Sequence, residues 1–289
     1  MALTLPVQTS EVIGIDEYVE HVRTTVDVRD LDSVIASAPK LAALANHRTF
    51  LAEYLCSGLR NWQQFQPRNE YISQSFILGR GPGFFVRANV WTPRAESDDI
   101  RATQYRVTFY GIAHDHNFSF LTVGYWGSGY ETQIYEVEPG SFHPAEGEPA
   151  ELVFREQTRL TVGKVMLYRA SRDVHEQAPP DDLSISLNLM LIPPEVDLCD
   201  QYYFDLRTRR VASVHGIYID RVILLCKLAG ALGGAAPADV LLGLAARHPT
   251  ARIRVAALEA LVELGASDEV RTLSDHDDHP LVRALRARL

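Results

Sequence analysis

The sequence predicts an α+β protein in which a β-barrel or sandwich lies between two helical segments. Three observations carry this: helical spacing of apolar residues up to about Phe65, short β-forming stretches from Tyr71 to about Val214, and helical period again after Gly216. The expected divisions are an N-terminal helical segment over 1–68, a β-barrel over 69–215 and a C-terminal helical segment over 216–289.

In the first segment Leu41, Leu44, Phe50, Leu51, Tyr54, Leu55 and Leu59 recur at helical spacing, with Asp16 or Ser10 as candidate caps. In the second, YISQSFIL, GFFVRANVW, YRVTFYGIAH, FSFLTVGYW, ETQIYEV, ELVFREQ, KVMLYRA, LSISLNLMLI and YYFDLRTRRVASV are β-formers punctuated by Gly, Pro and Asp. Short strands at such spacing predict a sandwich or barrel. In the third, HPTARIRVAALEALVELG at His248 and HPLVRALRARL at His279 are one phrase written twice. This wording resembles a HEAT repeat over about the last 55 residues, which implies paired helices in a short stack.

The 289 residues are 46% hydrophobic, enough for one large core or two smaller ones, and the formal charge of −9 leaves no basic excess for a phosphate backbone. Nucleic acid is therefore not an expected partner. Cys56, Cys199 and Cys226 form no Cys-x-x-Cys spacing, and the N-terminus carries no basic stretch before an apolar run. No stretch approaches the length of a membrane span, so the expectation is a cytoplasmic protein without a membrane partner.

The chemistry-bearing signal is His114-Asp115-His116. On a strand, residues i and i+2 share a face, so the two imidazoles would lie close enough to share one ion, with Asp115 on the other side. Imidazole ligates iron, zinc, copper, nickel or manganese, but two ligands rarely suffice. The candidate third is His175, after a strand opening near Gly163 and a polar turn, and before the alternating SISLNLML.

These residues resemble the cupin superfamily: a His-x-His strand, then a glycine, a strand and turn, a third histidine, and another strand of a small barrel. The resemblance covers roughly residues 70–195 and implies a double-stranded β-helix with His114, His116 and His175 as metal ligands. The chain departs from the pattern twice. Asn117, Phe118, Ser119, Phe120, Leu121 and Thr122 stand where many cupins carry a glutamate ligand, and Ala170, Ser171 and Arg172 stand near the usual Pro-x-Gly. The site implied is then three histidines, as in thiol dioxygenase cupins, with Glu131 as a possible extra ligand and Glu136 as an alternative carboxylate.

Three neutral imidazoles leave open positions on an octahedral ion, which suits Fe(II) with dioxygen as cosubstrate; zinc in the same set would favour hydrolytic chemistry. 2-Oxoglutarate is possible but not favoured, because no basic residue follows His175 before Arg207. In FFVRANVW, Phe85, Arg87, Asn89 and Trp91 share one face; turned inward, Arg87 would pair with a carboxylate. Substrate-binding candidates are Arg87, Asn89, Tyr125 and Asn188, and catalytic candidates are Tyr110, Tyr130 and Gln177, phenols and amides that orient a ligand. Phe109, Phe118, Phe120 and Trp126 read as core packing. No nucleophile elbow, phosphate loop or dinucleotide fingerprint occurs; GRGPGF at Gly79 is a turn signal.

The expected function is a mononuclear non-haem iron oxygenase acting on a small polar metabolite, an amino acid or related carboxylate. The alternatives are a non-catalytic metal- or ligand-sensing module with a protein-docking helical tail, and a zinc or manganese isomerase or hydrolase. Cupins often dimerise, so a homodimer is a further expectation.

Overall fold

The computed structural model describes residues 2–67, 69, 71 and 73–289. They form two compact units, Met1–Glu138 with Leu152–Pro194, and Pro139–Glu151 with Glu195–Leu289.

The first unit begins with β1 (Leu3–Leu5) and four helices, α1 (Ile15–Thr25), α2 (Leu31–Ala36), α3 (Ala38–Asn46) and α4 (Phe50–Arg60). Strands β2 (Ser75–Gly81) and β3 (Phe84–Trp91) follow, then α5 (Asp98–Val107). The remaining strands are β4 (Ala113–His114), β5 (Phe120–Trp126), β6 (Glu131–Glu136), β7 (Val153–Arg159), β8 (Val165–Tyr168), β9 (Asp173–Ala178) and β10 (Ser184–Leu191).

One sheet runs β1-β8-β5-β10-β3-β2, and the other brings β4, β9, β6 and β7 together in that order. From β3 to β10 the chain crosses between the sheets at every step except β6 to β7. Eight antiparallel strands ordered 8-5-10-3 and 4-9-6-7 make a double-sheet jelly roll, the architecture of a cupin-like α+β fold.

The first sheet is covered on both faces, which is why SISLNLML is buried almost throughout. One parity of its strands, Phe84, Val86, Ala88, Leu121, Val123, Leu167, Leu187 and Leu189, packs against Tyr18, Leu41, Leu44, Phe50 and Leu51 of the helices. The other, Phe85, Phe120, Met166, Tyr168 and Met190, closes on Tyr130, Ile134 and Leu160 inside the barrel. Each fully buried leucine removes apolar surface worth about 1.5–3 kcal/mol from water.

Two stretches differ from the sequence expectation. YRVTFYGIAH is not one strand: α5 runs to Val107, and only Ala113–His114 remain as β4. The cause is local, because Ser97 caps α5 by accepting from the Ile100 N–H at 3.4 Å and Asp98 and Asp99 occupy its first turn. Gly111, at φ 67°, then turns the chain into β4. YISQSFIL becomes a strand only from Ser75; Ile72 lies outside the described residues.

The second unit holds the hairpin β11 (Gln201–Asp205) and β12 (Arg210–His215), then α6 (Ile217–Leu232), α7 (Ala235–Arg247), α8 (Ala251–Glu263), α9 (Ser267–Asp275) and α10 (Pro280–Arg286). Its core is Leu241, Ala245, Ala256, Leu258, Leu261, Val270, Val282 and Leu285. The repeated phrase has a repeated structural role. His248 Nδ1 accepts from the Thr250 N–H at 3.1 Å and His279 Nδ1 from the Leu281 N–H at 3.2 Å, each ring tying down a helix start. Arg254 grips Asp277 through Nε at 2.6 Å and Nη2 at 3.2 Å. Among the described residues no helix is long and apolar enough to cross a membrane.

Candidate metal centre

The three histidines come together on the inner wall of the second sheet. Strand β4 places His114 directly opposite His175 of β9, and β6 flanks β9 on its other side with Ile134 opposite His175. His116 lies just past the end of β4, where its carbonyl accepts the Ser171 N–H at 2.7 Å; the turn before β9 thus fixes the chain around it.

Ring centroids are 4.5 Å apart for His114 and His175, 4.9 Å for His114 and His116, and 5.1 Å for His116 and His175. One nitrogen from each ring lies within 4.8 Å of the others. His114 Nδ1 donates to the Ile112 carbonyl at 2.8 Å, which leaves its Nε2 with a lone pair. That Nε2 is 3.2 Å from His175 Nε2, the separation that two ligands about 2.1 Å from one ion make at an angle of roughly 100°. The donor set therefore fits a first-row divalent metal.

The electrostatics agree. Burial lowers the pKa of His114 from 6.5 to about 4, and burial lowers His116 and His175 well below their ordinary value. His116 is lowered further by the positive charges His114, His175 and Arg87 would place beside it. All three rings are thus neutral at physiological pH, the form in which imidazole ligates. Aromatic side chains enclose them: Phe118 stacks on His116 at 4.8 Å, Phe120 meets it edge-on at 5.2 Å, and Tyr168 stands edge-on to His175 at 4.7 Å. Phe118 and Phe120 are packing groups, and what they pack is the His116 ring of the histidine group.

Around this centre Arg87, Asn188, Thr122 and Met166 form one ladder across β3, β10, β5 and β8, on the inward parity. Arg87 faces in with Phe85, its guanidinium carbon 5.0 Å from the Tyr71 ring centroid. Among the described residues it has no carboxylate partner, and its Nε has no hydrogen-bond acceptor. Burial lowers its pKa. Asn188 Oδ1 accepts from Thr122 Oγ1 at 2.6 Å. Asn89 accepts from Ser75 Oγ at 2.7 Å.

Tyr130 is buried beside Tyr168, Gln177 and Thr122, with its ring 4.2 Å from Trp91, and burial pushes its pKa up to about 12. Tyr110 is buried too, but its hydroxyl donates to the Thr92 carbonyl at 3.0 Å. Gln177 and Thr132 also line a cavity of about 200 Å³ with Tyr105, Gly111, Glu131 and Glu176.

Two candidates lie elsewhere. Tyr125 points to the opposite face of β5, where its hydroxyl donates to the carbonyls of His47 at 3.1 Å and Arg48 at 2.8 Å and its ring packs on Phe50. Glu131 points out of the barrel and pairs with Arg159 at 2.9 Å; it is not in the histidine group. Glu136 is likewise engaged by Arg155 and Arg169. Tyr168 and Thr122 escaped the sequence reading, although the alternation that places Arg87 inward also pairs Tyr168 with Met166 and Thr122 with Phe120.

No protein-family model matches the chain, and no curated protein matches it. Among solved structures it is similar to the DMSP lyase DddQ from Ruegeria pomeroyi DSS-3, at 10% identity, TM-score 0.26, over 66% of this chain and 77% of that one. It is also similar to the hydroquinone 1,2-dioxygenase PnpCD, at 11% identity, TM-score 0.27, over 45% of this chain and 69% of that one. A salicylate 1,2-dioxygenase from Pseudoaminobacter salicylatoxidans gives 8% identity, TM-score 0.26 and 49% of this chain, which spans 32% of that protein. At these scores none of the three bears on the chemistry of this chain.

Proposed function

We propose that the first unit is a cupin-type mononuclear oxygenase, with His114, His116 and His175 holding Fe(II), dioxygen as cosubstrate, and a small carboxylate-bearing metabolite as substrate. The observation that carries this reading is Arg87: an inward-facing guanidinium with no carboxylate partner among the described residues, beside three neutral imidazoles. A cation in such a place leaves a deficit that an anionic ligand fills, and guanidinium matches a carboxylate through two hydrogen bonds.

Iron(II) in this donor set would supply the redox chemistry that couples dioxygen to oxidation of the substrate. The chain's own residues do the rest. Arg87 binds the carboxylate. Tyr130, Tyr168, Gln177 and Asn188 orient what lies between it and the histidines, and the Ile112 carbonyl holds the His114 ring in the tautomer that ligates. Phe118, Phe120, Phe85 and Met190 keep bulk water out. With one unpaired cation among the described residues of the inner wall, the site has room in charge for one carboxylate anchor, which disfavours 2-oxoglutarate alongside a second acid.

In the second unit, the two His-Pro helix starts and the Arg254–Asp277 pair support a HEAT-like reading of the tail. The functional test is anaerobic Fe(II) loading followed by oxygen uptake across small carboxylates, with and without 2-oxoglutarate. Uptake should require substrate and disappear in His175→Ala. Stoichiometric iron with no uptake under any condition overturns the reading.

A further inference from the structure

Of the buried side-chain polar atoms that lack a hydrogen-bond partner, a large share lie in one place. Arg87 Nε, Thr132 Oγ1, Tyr168 Oη, His116 Nδ1 and His175 Nδ1 all belong to the barrel interior or the histidine rings lining it. Native interiors leave few such groups unmatched, and a cluster of them marks where a ligand's own polar atoms belong. Two of them are donors first. Guanidinium is a donor only, and a phenol at neutral pH offers its proton first.

Uncommitted groups of the opposite charge are missing from these strands. Among the described residues, the side chains that β3, β5, β8 and β10 turn inward include no carboxylate, and Glu136, which shares the parity of Thr132 and Ile134 on β6, is taken up by Arg155 and Arg169. Asp173, opposite Glu136 at the end of β9, is taken up by Arg169, with Nη2 at 2.7 Å, Nε at 3.0 Å and the backbone N–H at 2.7 Å. An ammonium group brought among these strands would meet Arg87 and no uncommitted carboxylate of theirs.

We infer that the ligand is a hydroxy or oxo carboxylate, not an amino acid: its carboxylate on Arg87, and a second oxygen accepting from Tyr168. The Tyr130 hydroxyl is adjacent to Tyr168 and within the electrostatic reach of Arg87. This rests on the assignment of Arg87 as carboxylate anchor and, of the two substrate classes expected from the sequence, an amino acid or a related carboxylate, takes the second.

The test reads binding, not turnover, and so stands apart from the oxygenase reading. The full chain is stripped with chelator, Trp62 and Trp126 are replaced by Phe, and Trp91 fluorescence is titrated, since its ring lies 4.2 Å from Tyr130. The probes are propionate, lactate, 3-hydroxypropionate, alanine, β-alanine and methyl lactate. One of the hydroxy acids should bind about tenfold tighter than propionate, the increment of one well-made hydrogen bond to a buried donor. Both amino acids should bind more weakly than propionate, and methyl lactate not at all. Tyr168→Phe should reduce the hydroxy acid to the level of propionate, and Arg87→Gln should abolish carboxylate binding. The inference falls if alanine or β-alanine binds as tightly as its hydroxy counterpart, if methyl lactate matches lactate, or if no probe binds. Because the ligand series is run on chain with an intact site, a variant that fails to fold does not shield the idea.

Discussion

Arg87→Met should make the ligand-free protein more stable while removing its affinity for carboxylates. The guanidinium faces the barrel interior with Nε unmatched and no carboxylate partner among the described residues. A buried donor left without an acceptor costs about 1–3 kcal/mol. A compensating contact is the Tyr71 ring at 5.0 Å, and with Tyr71 half open to solvent a cation–π pair of this kind returns about 0.5–1 kcal/mol. Methionine keeps the length of the stem and fills the space with apolar volume beside Phe85. The balance is a gain of about 1–2 kcal/mol. For a unit of this size that raises the melting transition by roughly 2–8 °C. Differential scanning calorimetry on metal-free protein measures it, and the same sample should no longer respond to carboxylates. A melting temperature that falls, or stays put while carboxylate binding survives, refutes the reasoning: Arg87 would then be a structural residue held by the fold itself.

Glu131→Gln should leave metal content unchanged, since its carboxylate serves Arg159; metal analysis of the purified variant decides, and a loss of metal would return Glu131 to the ligand set. His114→Ala should lose most of the bound metal, read the same way. Tyr125→Phe should cost about 1–2 kcal/mol in urea unfolding without touching metal, because it frees the His47 and Arg48 carbonyls far from the histidines. The pH dependence follows from burial of the imidazoles. The folded pKa of His114 is depressed to about 4, so the unfolded chain takes up a proton near 6.5 that the folded chain refuses. Stability of the metal-free protein is full above pH 6.5 and falls on acidification toward pH 4, by on the order of 3 kcal/mol from this group alone. His114→Gln should flatten that slope.

The barrel and the three-histidine group were legible because both rest on short-range rules. Alternation along FFVRANVW places Arg87 with Phe85, and a His-x-His pair with a distant third histidine needs only strand parity to suggest convergence. The difficulties arose where a tertiary choice decided. Which parity of β5 faces the interior depends on the helices packed behind the sheet, so alternation alone does not choose between Tyr125 and Thr122, and α3 and α4 do. The helix α5 was visible in Ser97-Asp98-Asp99, but the β-forming residues Val107, Phe109 and Tyr110 outweighed the cap signal. Tyr168 carried no signal beyond its parity with Met166.

The rung between His114 and His175 joins positions 61 residues apart, on a strand only two residues long. So brief a strand gains little from its ladder, while closing a loop of that length is an entropic expense met before any reward. An ion gripping both rings would act as a clasp on the seam of the barrel. Its withdrawal would leave Ala113–His114 the first stretch to open and exchange its amides, and the rate at which the seam parts would report occupancy of the site in a silent resting protein.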